Sequence, residues 1–250
     1  MKPRRIILVR HGQSEGNVDK HVYGQKPDYA LNLTLKGRMQ AFMAGKKLYN
    51  LGGSTAFYYV SPLFRTKQTF EQLLAGLINE RRSKTTEHLE FPPFLEEPRL
   101  REQEWGHLKT SMECDSIDHE RDAYGTFYYR IPDGESAADV YDRVSDFIGA
   151  MHRDFEKISY PNTAVLVTHG MAIRLFLMRW LHWTVEEFET YKNPDNCAIV
   201  VMELNEATGK YQLKTELERS PAKHPHQFKP SVIHTGQGIV LESPFKKAEP

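Results

Sequence analysis

The chain has 250 residues, 40% of them hydrophobic, and carries 33 basic against 33 acidic side chains. That is enough apolar material to fill one sizeable core, and a formal charge of zero argues against nucleic acid or an anionic membrane surface as partner. Two cysteines, Cys114 and Cys197, are too few for a disulfide framework or a paired-cysteine metal site and suit a reducing, cytoplasmic setting, and no apolar run approaches the roughly 18 residues of a membrane span.

The first element is Ile6-Ile7-Leu8-Val9, an apolar run that reads as a strand buried on both faces. It ends on Arg10-His11-Gly12-Gln13-Ser14-Glu15-Gly16-Asn17, where a guanidinium, an imidazole and two glycines suit a phosphate better than a neutral ligand. A polar loop over residues 18–32, punctuated by Gly24 and Pro27, is long enough to favour a functional loop over a linker. Thr34 caps a helix reaching about Leu51, with Leu35, Met39, Phe42, Met43 and Leu48 as its apolar positions and Gly52-Gly53 as its stop. The strand Phe57-Tyr58-Tyr59-Val60 leads through Ser61-Pro62 into a helix from about Leu63 to Ile78 that carries Arg65.

Residues 80–90 are charged and read as a surface excursion. A short strand at Phe94-Leu95-Glu96 precedes Arg101-Glu102-Gln103-Glu104-Trp105, and residues 109–130 read as a helical insertion covering the sheet edge. A turn at Pro132-Asp133-Gly134 opens a helix from Ala137 to Phe155, whose apolar stripe is Val140, Val144, Phe147, Ile148, Met151 and Phe155. Ala164-Val165-Leu166-Val167 is a buried strand ending on Thr168-His169-Gly170, followed by a helix from Met171 to Trp180. Strands at 197–204 and 211–215 pair as an antiparallel edge. Beyond residue 217 the prolines multiply and periodicity is lost, so residues 1–217 read as one domain and 218–250 as a flexible tail. Strands alternating with helices give an α/β fold, a three-layer α/β/α sandwich with a mostly parallel sheet and an antiparallel edge strand.

Four polar clusters each follow a strand at its carboxyl end, the edge where open α/β sheets keep their ligands. Arg10 with His11, Ser61 through Arg65, Arg101 with Glu102, and Thr168 through Gly170 would there supply two guanidiniums, two imidazoles and a carboxyl. Those are the parts of phosphoryl transfer without a metal: anion donors, a neutral nitrogen nucleophile and a proton source. No HExxH, HxH or paired-Cys spacing occurs in the body of the chain, so no metal or other cofactor is expected. Gly12-Gln13-Ser14-Glu15-Gly16 also matches the G-x-S-x-G elbow of serine esterases, although an elbow on the first strand lacks the usual context. A phosphate-binding adaptor without catalysis is a third reading.

The ordered set Arg10-His11-Gly12-x-Ser14-x-x-Asn17, Ser61-Pro62-x-x-Arg65 and Thr168-His169-Gly170 resembles the histidine phosphatase, or phosphoglycerate mutase-like, family over about residues 4–204. Leu100-Arg101-Glu102-Gln103 and Gly134-Glu135-Ser136 resemble its plant and fungal members in particular. The resemblance implies that His11 becomes phosphorylated, that Arg10, Arg65 and His169 hold the phosphoryl group and that Glu102 donates the proton. Asn17 and the Gly170 backbone N–H would line the same pocket, with Ser14 and Gly24 in the surrounding set. In the family's mutases an arginine follows the acid and an Arg-Arg-Ser-Tyr-Asp-x-Pro-Pro-Pro segment follows later. Here Gln103 stands after Glu102, and the later segment lacks paired arginines. A phosphomonoester hydrolase acting on a small molecule is therefore expected over a cofactor-dependent mutase. Arg130 is a candidate second anion contact, and Trp105, with Tyr128 and Tyr129, would favour apolar or aromatic phosphomonoesters.

Overall fold

The computed structural model describes residues 2–84, 91–107, 110–220, 232–235 and 238–241. In chain order the elements are β1 (Arg5–Arg10), α1 (Glu15–Val18), α2 (Leu35–Tyr49), β2 (Phe57–Val60), α3 (Phe64–Arg82), β3 (Phe94–Glu96), α4 (Ser111–Tyr124), α5 (Ala137–Phe155) and β4 (Thr163–Thr168). They continue with α6 (Gly170–Leu181), α7 (Val185–Thr190), β5 (Ile199–Asn205), β6 (Lys210–Leu213), β7 (Val232–Thr235) and β8 (Gly238–Leu241). The main sheet has the order β3-β2-β4-β1-β5-β6. β3, β2, β4 and β1 run parallel, β5 pairs antiparallel to β1, and β6 antiparallel to β5. β7 and β8 form a separate antiparallel pair within the stretch read as a tail. Part of the 80–90 excursion and of the 109–130 insertion lies outside the described residues; α3 occupies the former as far as Arg82, and α4 the middle of the latter.

The sheet is covered on both faces. Alternate residues along each buried strand face opposite ways. Ile6, Leu8, Ala164 and Leu166 pack with Val144, Phe147, Met151 and Phe176 of α5 and α6 on one side. Ile7, Val9, Val165 and Val167 pack with Leu48, Phe70, Leu73 and Leu77 of α2 and α3 on the other.

The face of α2 is the main departure from the sequence reading. Leu35, Met39 and Met43 are exposed, whereas Gly37, Ala41, Ala44, Gly45 and Leu48 are buried. Small residues win because α2 and α3 approach backbone to backbone. A Cβ on Gly45 would lie 2.1 Å from the Leu73 carbonyl oxygen, and one on Gly76 2.0 Å from that of Phe42. Two segments that the sequence left without regular structure are helical, α1 and α7. Cys197 sits in a turn with φ of 59°, ahead of the strand assigned to it.

The chain stays on the core a few residues past 217. The backbone N–H of Lys192 donates to Glu218 O at 2.9 Å, and that of Ser220 to Thr190 O at 2.7 Å. Among the described residues, no helix is long and apolar enough to cross a membrane.

Candidate active site

The parallel ladder itself assembles the site. β4 lies between β1 and β2, and its last residues bind the turns that leave both neighbours. His11 N–H donates to Thr168 O at 2.9 Å, and Ser61 N–H to Val167 O at 3.0 Å. The fourth cluster comes from the edge strand and needs a further tie: the Thr168 hydroxyl donates to Leu100 O at 2.7 Å, bringing the Arg101–Gln103 segment over the end of β4. Gly12 lets α2 close from the side. A Cβ there would lie 2.4 Å from the Gly37 carbonyl oxygen, and the Gly12 N–H donates to the buried Thr69 hydroxyl of α3 at 3.0 Å.

His11, Arg10, Arg65, Glu102, Gln103, Ser14, Asn17 and Trp105 line one cavity of 160 Å³, together with Tyr23, Asp28, Arg121, Met171 and Asn193. An outer chamber of 500 Å³ continues from it past Tyr23, Asp28, Glu102 and Trp105 to Gly24, Pro27 and Tyr29. A larger depression of 930 Å³, bounded by Tyr191 and residues 213–219, contains no comparable set of acid, base and arginines.

The two imidazoles meet edge to face with centroids 5.2 Å apart, both buried. His11 Nδ1 lies 2.8 Å from the Gly12 carbonyl oxygen. A carbonyl only accepts, so Nδ1 carries the proton and Nε2 keeps a free lone pair. Burial, then the Arg65 and Arg10 charges, hold His11 well below the usual histidine range, so this ring is neutral. His169 precedes the first turn of α6, with Nε2 2.8 Å from the Ser61 hydroxyl oxygen; Nδ1 is buried without a partner. Burial and the Arg65 charge push its pKa down as well. Ser61 takes Nε2, and the Ser14 hydroxyl donates to Asn17 Oδ1 at 3.2 Å rather than to either imidazole. The elbow reading fails on that geometry.

Arg10 donates through Nη1 to Pro194 O at 2.6 Å, and its Nε is buried and unpaired. Arg65, 3% exposed, donates through Nη1 to Asp28 O at 2.7 Å and through Nη2 to Asp28 Oδ2 at 3.0 Å. Three of its five N–H groups remain. Glu102 is half-buried, and one oxygen accepts from Gln103 N–H at 3.0 Å. Burial raises its pKa above the usual carboxylate range, against the pull of that N–H and of Arg65 and Arg10.

What holds Glu102 is a residue that sequence reasoning missed. Arg143 of α5 uses all five donors: Nη1 on Arg99 O at 2.6 Å and Arg101 O at 2.8 Å, Nη2 on Glu102 O at 3.0 Å, and Nε and Nη2 on the Glu135 carboxylate. Nothing in its helical surroundings marks it, because three of its five acceptors are backbone carbonyls more than 40 residues away. Asp28, Tyr23, Arg121 and Asn193, which also line the cavity, follow none of the four strand ends directly and were missed as well. Arg121 stacks on the Trp105 ring at 5.2 Å and faces Asp118 at 3.8 Å.

Arg130 does not line the cavity. It is largely exposed and pairs with Asp139 at 2.7 Å, because the insertion turns it toward the start of α5. Tyr128 is exposed and the Tyr129 hydroxyl donates to Glu120, so Trp105 alone of that aromatic set reaches the cavity. Gly24 lines only the outer chamber. Gly170 opens α6 with no room for a side chain, a Cβ there lying 2.9 Å from Asn193 Cγ. Among the described residues, no three of His, Cys, Asp and Glu come together as a metal would need.

The model of the histidine phosphatase superfamily (branch 1) matches residues 6–216. The chain is 40% identical to the phosphoglycerate mutase-like protein AT74H of Arabidopsis thaliana, covering 84% of this chain and 77% of that one. It is 30% identical to the broad-range acid phosphatase DET1 of Saccharomyces cerevisiae, covering 87% and 90%. A solved mycobacterial glucosyl-3-phosphoglycerate phosphatase, in complex with VO3, shares the fold with a TM-score of 0.64 over 86% of this chain and 99% of its own, at 22% identity.

Proposed function

Because the chain belongs to the histidine phosphatase superfamily, we propose that it hydrolyses phosphomonoesters without a metal, through a phosphohistidine at His11. The observation that carries this is the fixed tautomer of a buried, neutral His11, with Nδ1 on the Gly12 carbonyl and Nε2 free beside two guanidiniums. A cavity of 160 Å³ suits a phosphoryl group, and the 500 Å³ outer chamber leaves room for the rest of the ester.

Nε2 of His11 attacks phosphorus in line as the P–O ester bond breaks. Arg10 and Arg65 hold the non-bridging oxygens, and the unpaired Nδ1 of His169 is the further contact a phosphoryl oxygen would satisfy. The leaving oxygen takes its proton from Glu102, whose raised pKa keeps the acid form available. Water then attacks the phosphohistidine, gives its proton to the Glu102 carboxylate, and the N–P bond breaks to release inorganic phosphate and regenerate neutral His11.

The yeast relative's name supports the phosphatase reading, as do Gln103 after the acid and the outward-turned Arg130. One observation favours a mutase: Arg121 adds a third guanidinium to the cavity, able to take a substrate carboxylate. It already faces Asp118 and the Trp105 ring. Labelled substrate and acid-labile phosphoenzyme test the intermediate. Wild type should trap label with chelator present, His11→Ala should trap none and Ser14→Ala should retain it. Label surviving His11→Ala overturns the mechanism. Mutase turnover of 3-phosphoglycerate exceeding phosphate release overturns the hydrolase reading.

A further inference from the structure

Gln103 is 2% exposed and follows Glu102 directly. Its amide orientation is fixed: Nε2 donates to the Glu135 carbonyl oxygen at 2.8 Å, and a carbonyl cannot accept from the other end of the amide. Oε1 is therefore the outlying atom, and it is buried without a partner on a residue that lines the inner cavity. Buried acceptors are rarely left so. Arg143 and Arg101, which bind the same Glu135, are committed to its carboxylate and to backbone carbonyls. A phosphoryl dianion brings no donor. A donor on the alcohol portion of the ester, the part that Glu102 next to Gln103 serves, would satisfy it.

Resting on the proposed hydrolase reading, we infer that Gln103 determines specificity by accepting a hydrogen bond from a hydroxyl on the leaving alcohol. The site then takes phosphate monoesters of polyhydroxylated alcohols in preference to those of simple alkanols or hydroxy acids. Asp28 acts in the same direction. Its carboxylate lines both chambers while gripping Arg65, so a substrate carboxylate entering past it meets repulsion, whereas a hydroxyl meets a second acceptor. A hydroxyl suits the site better than an ammonium group, because Arg10, Arg65 and Arg121 already line the inner cavity.

Glycerol 1-phosphate and propyl phosphate differ only in hydroxyls and provide the test. Wild type should favour the glycerol ester in kcat/KM by on the order of tenfold, the scale on which a site built for a hydroxyl rejects its deoxy analogue being that or larger. Gln103→Leu and Gln103→Met should bring that preference down to about the small difference set by the two leaving groups, read within each variant as the ratio of kcat/KM for the two esters. Asp28→Asn should raise hydrolysis of 3-phosphoglycerate relative to glycerol 1-phosphate several-fold. Equal kcat/KM for the two alkyl esters in wild type overturns the inference without any variant. So does a preference undiminished in both Gln103 variants. Failure of wild type on all of these esters would strike the hydrolase reading instead.

Discussion

Replacing Arg143 by lysine keeps the charge and removes the planar fork that five acceptors share. Arg143 and Glu135 are 11% and 15% exposed at their side chains, so the pair lies largely out of water. Lysine has three donors on one nitrogen and reaches at most part of the set. Two or three buried carbonyl or carboxylate oxygens then lose partners, at about 1–3 kcal/mol each before relaxation. Non-additivity and the retained ion pair bring the net to roughly 2–4 kcal/mol, or about 5–15 °C in Tm for a chain of this size. The functional effect is more specific. Freed from α5, the Glu102 segment keeps its tie to Thr168 but loses the clamp on its own carbonyl, so the acid drifts from the leaving oxygen. Activity should fall by roughly 10–100-fold on alkyl phosphates and much less on p-nitrophenyl phosphate, whose leaving group needs little protonation. Differential scanning calorimetry and kcat/KM across leaving groups of graded pKa measure the two effects. Equal losses on alkyl and aryl esters would refute the claim that Arg143 acts through Glu102.

Glu102→Gln should cost roughly 10²–10⁴-fold on alkyl esters. In wild type the rate should fall as pH rises through the elevated Glu102 value and, on the acid side, only once His11 protonates well below its ordinary value, giving an acid-shifted pH profile. Arg65→Lys should impair both KM and kcat by tenfold or so, since a lysine cannot grip Asp28 and a phosphoryl group through one planar fork; steady-state kinetics decide it. Folded His11 and His169 have lowered pKa values, so the folded chain binds fewer protons than the unfolded one below about pH 6.5. Their stabilising contribution is present above that pH and lost as pH falls; urea titrations at pH 7 and 5 should show the drop, and His11→Gln should lessen it. Gly76→Ala should cost about 1–3 kcal/mol by prying α3 from α2, seen as a lower Tm with kcat/KM largely kept in the folded fraction.

The strands were legible because each central one is an unbroken apolar run, and a strand buried on both faces can hardly be anything else. Their carboxyl ends followed from topology, and with them His11, Arg65, Glu102 and His169. The face of α2 was not legible from hydrophobicity, since its contact is made by glycines and alanines while its methionines point outward. Nor were Arg143 and Asp28, whose partners are a backbone and a guanidinium tens of residues away. Arg130 was misplaced for the opposite reason: proximity in sequence to an aromatic cluster says nothing about which way a turn aims a long side chain.

The order β2-β4-β1-β5 has a kinetic consequence. β1 precedes every other strand, yet both of its neighbours, β4 and β5, are made after residue 160, so its edges stay unpaired while all the residues between are made. Contacts of such long separation are paid for in loop entropy before they return anything, and chains built on them fold slowly. On the ribosome the two histidines stay apart until β4 emerges, and α2 with α3, joined by a short link through β2, is the pair able to condense first. The exposed Ile6–Val9 segment is then the stretch most in need of shielding during translation. A nascent chain stalled before residue 163 should be retained by holdase chaperones, and one extended past β6 should be released.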